Sequence, residues 1–410
     1  MKGIGEKALE IPYKKYVFNR MELAGSLGDL GTLLPLAIGM IMVNGLDPTG
    51  LFFVVGAFYI LSGMYYGVTV PVQPMKVIGA YSIAMALTPG VITASGLLMG
   101  IFMLIIGITG VIHIIGKYTP KPVVRGVQFS VGTLLMVQGV KFMLGISNYQ
   151  AVRNAAEPYL TIQSIGPIPV GIILGVGGAI ITFLLLENKR VPAALVVVTG
   201  GVLVGIFLGN HQGLNNLKIG LYLPPILPFG ILTTKDLTIA LLTLTLPQIP
   251  MTIGNAVIAN ADLTREYFGK KAKMASYRAL SISMGLALLA SFLFGGMPVC
   301  HGAGGLAAHY RFGARTAGSN VMIGGIFLIL ALLFGIHALS IIYLLPLSVL
   351  GILLVFAGSQ LALTIRDITE RTDLFVVVIM LGITIATNLA AAFIAGIAIA
   401  YAFQTGRLKI

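Results

Sequence analysis

The sequence predicts an all-α integral membrane protein of fourteen transmembrane elements, built as two inverted seven-helix repeats in which elements 3 and 10 are discontinuous half-helices. Three observations predict it: the composition, the spacing of the apolar stretches, and two prolyl segments at matched positions. Of 410 residues, 57% are hydrophobic and only 10% are charged, whereas a soluble domain carries about 25% charged residues. A chain this apolar has to use lipid as part of its solvent. The formal net charge is +13. In a soluble protein that excess would suggest nucleic acid, but here it sits in short loops, where the positive-inside rule accounts for it. The single cysteine, Cys300, excludes an intrachain disulfide. The first twenty residues are polar and basic and carry no signal-peptide pattern.

A helix needs about 20 apolar residues to cross a bilayer. Full spans are expected at Met21–Val43, Gly50–Tyr66, Gly90–Ile115, Val123–Leu144, Pro167–Leu186, Val191–Leu208, Lys235–Ala259, Met274–Phe294, Gly318–Phe334, Leu339–Ser359, Leu374–Thr387 and Leu389–Phe403. Two shorter, punctuated segments, Pro71–Leu87 and Pro298–His309, complete the fourteen. An even number places both termini on one side. Of the 26 Lys and Arg residues, 21 fall in one set of loops, and Arg153, Lys218 and Lys235 fall in the opposite set. Lys141 lies near a helix end and Lys76 lies inside the membrane. This bias places both termini in the cytoplasm. The chain then divides into a cytoplasmic segment 1–20, a first repeat 21–210, an extracytoplasmic connector 211–232 and a second repeat 233–410.

The two short segments share a pattern. One reads Val70-Pro71-Val72-Gln73-Pro74-Met75-Lys76 and the other Met297-Pro298-Val299-Cys300-His301-Gly302. Each is the third element of its half, and an odd number of elements per half inverts one half against the other. Discontinuous elements at corresponding positions mark a transporter built from inverted repeats, with its site at the membrane midplane. Non-helical backbone survives at that depth only where protein or a water-filled cavity satisfies it. A half-helix that starts there presents unpaired N–H groups and a partial positive charge. Two such N-termini facing one point make an anion site. Gln73, Met75 and Lys76 from the first segment, and His301 and Gly302 from the second, are therefore candidate substrate-binding residues.

Asp29 lies deep in the first span. A carboxylate there costs at least about 2.5–3.5 kcal/mol on insertion scales, which makes it a functional candidate. It either couples transport to a proton or neutralises Lys76. Glu22 is expected at the membrane interface. Gln248, Thr252 and Asn255, in the eighth element, offer neutral donors to the same site, and Gln248 and Thr252 share a helix face at i, i+4. Cys300 and His301 do not read as a catalytic pair, because neighbours on an extended segment point to opposite sides and no third group orients them. His113, His211, His309 and His337 are placed at span ends or loops, without metal-ligand spacing. No phosphate-binding GxxxxGK[ST] loop is present. No cofactor or metal is expected.

Gly28-Asp29-Leu30-Gly31-Thr32, Pro71-Val72-Gln73-Pro74-Met75-Lys76 and Pro247-Gln248-Ile249-Pro250 resemble the signature segments of the molybdate transporters related to the sulfate permeases. The resemblance covers essentially the whole chain. It implies the sulfate-permease and uracil-permease type of fold, with a core of elements 1–4 and 8–11 and a gate made of the rest. It also implies a tetrahedral oxyanion as substrate. The sequence runs only a few residues past its last expected span, so the cytoplasmic regulatory domain typical of sulfate permeases is not expected. His301-Gly302 does not match a motif of the family.

The expected function is secondary transport of molybdate or a similar oxyanion, coupled to a proton, by alternating access. A sulfate or nucleobase permease is the alternative within the fold. A nucleobase site calls for a carboxylate in the eighth element, where Gln248 stands. An intramembrane enzyme needs paired carboxylates or a metal cluster facing one cavity, and the sequence offers Asp29 alone. The partners expected are the oxyanion, the lipid bilayer, a coupling proton and a second copy of the chain in a homodimer, with no nucleic acid. The expected location is the plasma membrane.

Overall fold

The computed structural model describes residues 15–111, 120–185, 188, 192–209, 214 and 217–405. His113, His211 and most of the segment 1–20 lie outside these residues. Among the described residues, six helices are long and apolar enough to cross a membrane, or seven if a bent pair counts as one span. Shorter apolar helices, including Val170–Leu185, Ala193–Leu208, Tyr277–Leu293 and Leu389–Gln404, stand where the remaining spans were expected.

Several boundaries move. The first span is two helices, Arg20–Ser26 and Leu30–Met42, bent by 47°. The break falls at Leu27–Asp29, so Asp29 sits at a helix start and not within a continuous span. The eighth element runs as Thr234–Ala272, well past the expected end. It holds together despite Pro247 and Pro250 by widening into π-helix at Ala240–Thr245 and Thr252–Ala259. A π-bulge absorbs the missing proline N–H without ending the helix. The span expected at Leu339–Ser359 is divided. Ala317–Ile342 continues through it, and a new helix, Leu347–Asp367, starts after Pro346.

Glu22 is buried, not interfacial. Its carboxylate accepts the N–H groups of Arg315 and Thr316, each at 3.1 Å, at the start of the helix Ala317–Ile342. Glu157 does the same for Leu347 and Ser348, at 2.9 and 2.8 Å. Two buried carboxylates thus satisfy the unpaired donors of two spans.

The halves repeat one another in their packing. Pro89–Thr109 packs on Tyr277–Leu293, and Pro48–Tyr66 packs on Ala317–Ile329. The repeat exchanges these two pairs, the fourth and ninth elements becoming the eleventh and second. Lys121–Leu144 packs on Leu347–Ala362 as a self-related pair. Here glycine is required by close approach. A Cβ on Gly132 would stand 2.6 Å from the Gly358 carbonyl oxygen, and one on Gly351 would stand 2.5 Å from that of Gly139. Both contacts join backbone to backbone, as small residues allow between membrane helices.

The two punctuated segments meet. Gln73–Pro74 and Val299–Cys300 form a two-stranded antiparallel ladder, with Gln73 opposite Cys300 and Pro74 opposite Val299. The Met75 N–H donates to the Pro298 carbonyl at 2.9 Å. The half-helices that follow, Lys76–Met85 and Ala303–Phe312, therefore start from one crossing point. Extended backbone survives at this depth because each strand satisfies the other.

Candidate functional site

A cavity of about 970 Å³ lies beside this crossing. One wall carries Gly31, Thr32, Lys76, Pro250, Gly254 and Asn255, from the first, third and eighth elements. The other carries Lys121, Arg125, Gln128, Ala194, Gln360 and Thr364, from helices that pack among themselves around Lys121–Leu144. The cavity thus follows a boundary between two groups of helices.

Lys76 opens the first half-helix and faces the cavity, and its side chain has no hydrogen bond or ion pair among the described residues. Asn255 lines the cavity too. Both flank the first turn of the second half-helix. A Cβ on Gly304 would lie 3.9 Å from Lys76 Nζ, and one on Gly302 would lie 3.4 Å from Asn255 Nδ2. Gly302 is the residue before that helix, and its carbonyl accepts the N–H groups of Gly305 and Leu306. The N–H groups of Ala303 and Gly304 meet no protein acceptor among the described residues. A cation, an amide and a helix start with unpaired donors thus lie side by side. None of the three can accept, except through the amide oxygen, so the arrangement suits an anion.

The first half-helix is different, because the protein caps it itself. Gln248 Oε1 accepts the Val77 N–H at 2.9 Å and the Ile78 N–H at 3.3 Å, and Gln248 Nε2 donates to Thr252 Oγ1 at 2.9 Å. Gln248 and Thr252 were expected as substrate donors. Both are buried, and the Gln248 amide is engaged at both ends within the protein. Asn255, expected as a donor, is among the residues that line the cavity. Met75 is fully buried in the core and does not line the cavity.

Asp29 and Lys76 are not in ion-pair contact. Asp29 Oδ1 instead accepts Gln73 Nε2 at 2.7 Å, and its Oδ2 has no hydrogen-bond partner among the described residues. Gln73 is buried, and its own Oε1 is unpartnered. A Cβ on Gly302 would stand 1.7 Å from that oxygen, and one on Gly305 would stand 2.5 Å from Asp29 Oδ2. The Asp29–Gln73 pair is therefore seated against the bare backbone of the second half-helix.

His301 faces away from the cavity. Its Nδ1 lies 2.8 Å from the Pro71 carbonyl and its Nε2 lies 3.2 Å from Ser283 Oγ, with Phe58 and Tyr66 around the ring. It fastens the strand crossing. Cys300 is buried, and its sulfur lies 4.0 Å from the Pro74 carbonyl. His309 was placed at an interface. It is fully buried in the second half-helix, with Nδ1 at 2.9 Å from Thr69 Oγ1. His337 stands partly exposed against Tyr222.

Sequence reasoning missed the far wall. Arg125 donates through Nε and Nη2 to Asp367 at 2.9 and 2.6 Å, and Lys121 lies 3.2 Å from the same carboxylate. Arg125 and Asp367 are 242 residues apart in the sequence, at the ends of two different helices, so their spacing gave no signal. Among the described residues no group of three or more His, Cys, Asp or Glu side chains is placed to hold a metal ion.

Comparison with known proteins follows the same outline. A family model described as "Molybdate transporter of MFS superfamily" matches residues 21–135 and 240–361, more than half of the chain. "Molybdate transporter 2" of Arabidopsis thaliana is 32% identical, over 90% of this chain and 84% of the relative. "Molybdate transporter 1" of Chlamydomonas reinhardtii is 28% identical, over 92% and 90%. The "Putative sulfate transporter YvdB" of Bacillus subtilis is 25% identical, over 92% and 72%. Among solved structures, the transmembrane domain of a cyanobacterium bicarbonate transporter, BicA, has a TM-score of 0.63 at 17% identity and covers 93% of this chain and 98% of its own. The murine Solute Carrier 26 family member A9 anion transporter, in its inward-facing state, also scores 0.63, at 14% identity, over 97% and 70%. Both have the inverted-repeat fold of anion transporters of this type, and every site residue expected from the sequence lies inside the two matched stretches, while Ala194 and Thr364 of the far wall lie outside them. The chain is a multi-pass membrane protein of that fold, and by its matched family model and its relatives it belongs to the molybdate transporter family.

Proposed function

We propose that this protein moves molybdate, or a closely similar tetrahedral oxyanion, across the membrane as a secondary transporter rather than acting as an intramembrane enzyme. The observation that carries the reading is the juxtaposition of Lys76, Asn255 and the unpaired N–H groups of Ala303 and Gly304 beside one cavity. A lysine at a helix N-terminus is repelled by the helix dipole. A dianion removes that repulsion and gains from both. The first repeat, 21–210, and the second, 233–410, each contribute residues to both walls of the cavity, and the connector 211–232 joins them. In this reading both termini and the Lys121 end of the far wall face the cytoplasm, in the plasma membrane. Alternating access then displaces the Lys76 wall against the Gln128 wall. Coupling to a proton, with Asp29 as its carrier, and association into a homodimer belong to the same reading. The relative named as a sulfate transporter supports a second substrate of the same geometry.

The test is uptake of labelled molybdate into vesicles holding the purified protein, with tungstate and sulfate as competitors. We expect saturable uptake, blocked by tungstate and by sulfate only at higher concentration. Sulfate competing better than tungstate reassigns the substrate. No uptake of any of the three overturns the reading.

A further inference from the structure

Gln128 stands one helical turn beyond Arg125 on Lys121–Leu144 and is only 4% exposed, yet it lines the cavity. Its Oε1 accepts from Arg125 Nη1 at 2.8 Å and lies 2.9 Å from Thr364 Oγ1, whose one proton is shared between this oxygen and the Leu361 carbonyl at 2.8 Å. A guanidinium has no acceptor, so the atom that faces it must be the amide oxygen. That settles which way the amide lies: Nε2 is the end left over, and it has no hydrogen-bond partner among the described residues. Arg125 is fixed in turn, because its Nε and Nη2 both engage Asp367, and the Lys121 ammonium donates to the Asp367 backbone oxygen at 2.7 Å. The chain Asp367–Arg125–Gln128–Thr364 thus orients one neutral donor on the wall opposite Lys76.

We propose that Gln128 is a ligand of the transported oxyanion on the gate wall, donating Nε2–H to one of its oxygens while Lys76 and Asn255 hold it from the other side. Arg125 and Thr364 are positioning residues that keep the Gln128 oxygen turned away from the anion. The inference rests on the transport reading above and adds to it a contact from the second group of helices. The chemistry of the choice is specific. A neutral amide on a wall that must part from the anion lets it leave, whereas a second free cation would hold it across the boundary. Arg125 lines the same wall, but its charge is offset by Asp367, which its Nε and Nη2 engage, and its Nη1 donates to Gln128.

The experiment measures molybdate binding by the purified full chain in detergent, by calorimetry, and molybdate uptake in vesicles, for wild type, Gln128→Glu, Gln128→Met, Thr364→Val and Thr364→Ser. Gln128→Glu keeps the shape but turns the donor into an acceptor with a charge of the wrong sign. We expect its affinity to fall on the order of tenfold or more, and that of Gln128→Met somewhat less, the scale of one hydrogen bond to an anion. Thr364→Val removes one of the two bonds that orient the amide and weakens binding by roughly threefold, a fraction of one hydrogen bond. Thr364→Ser keeps the hydroxyl and restores wild-type affinity, which a loss of packing alone would not predict. Should Gln128→Glu not fold, Gln128→Met decides. If wild type binds molybdate and both Gln128 variants bind it equally well, Gln128 is not a ligand and the transport reading stands. If wild type binds none of molybdate, tungstate and sulfate, the transport reading fails and this assignment fails with it.

Discussion

Gln73 donates through Nε2 to Asp29 Oδ1 at 2.7 Å, joining residues 44 apart in the sequence. This contact makes one unit of the broken first span and the first strand of the crossing. It also fixes the Gln73 amide, because a carboxylate can only accept. The Gln73 oxygen is thereby aimed at Gly302, where any side chain would collide with it. The start of the second half-helix is thus held by residues of the first half.

Asp29→Asn retains an acceptor for Gln73 and should fold with a thermal midpoint close to wild type. If Asp29 carries the coupling proton, the variant binds molybdate but loses pH-dependent accumulation. Asp29→Leu also leaves the Gln73 amide buried without an acceptor, which costs about 1–3 kcal/mol. Thermal stability and uptake across pH, measured on both variants, separate the roles. Unchanged pH dependence in Asp29→Asn assigns the coupling elsewhere.

Gly302→Ala sets a methyl group where Gln73 Oε1 now lies, at 1.7 Å from the ideal Cβ position. Gln73 has to leave, and its bond to Asp29 breaks with it. We expect transport to be lost and stability to fall by about 1–3 kcal/mol, the usual range for overpacking a buried site. Gly254→Ala is the contrast, since a Cβ there meets no atom within 4 Å. It should fold as wild type. Equal stability of the two variants would show that the close approach at Gly302 relaxes without harm.

Gln248→Ala removes the acceptor from the Val77 and Ile78 N–H groups. The expected cost is about 0.5–2 kcal/mol, as for other lost helix caps. Molybdate affinity falls too, because Lys76 is the first residue of the half-helix that Gln248 holds. Gln248→Glu keeps the acceptor, so stability is spared, but its negative charge at the helix start opposes the anion. Calorimetry and thermal denaturation on the pair test this. Gln248→Glu binding as tightly as wild type would show that the first half-helix does not act on the substrate.

Composition and periodicity alone determined the membrane, the approximate places of the apolar helices and the two interrupted elements. Apolar length and proline spacing are local properties, and the bilayer leaves the backbone few ways to satisfy itself. The matched Pro-Val patterns even located the crossing, because a half-helix start is written in its own few residues. Tertiary structure decided which polar groups meet the substrate. Gln248 looked like a free donor until its oxygen was found against Val77, 171 residues away. His301 looked like a ligand until its ring was found against the Pro71 carbonyl. Gln128 gave no sign at all, since its orientation depends on Arg125 and on Thr364 from a helix in the other half. A side-chain amide has a donor end and an acceptor end, and only the partners that long-range packing brings to it decide which end is left to bind.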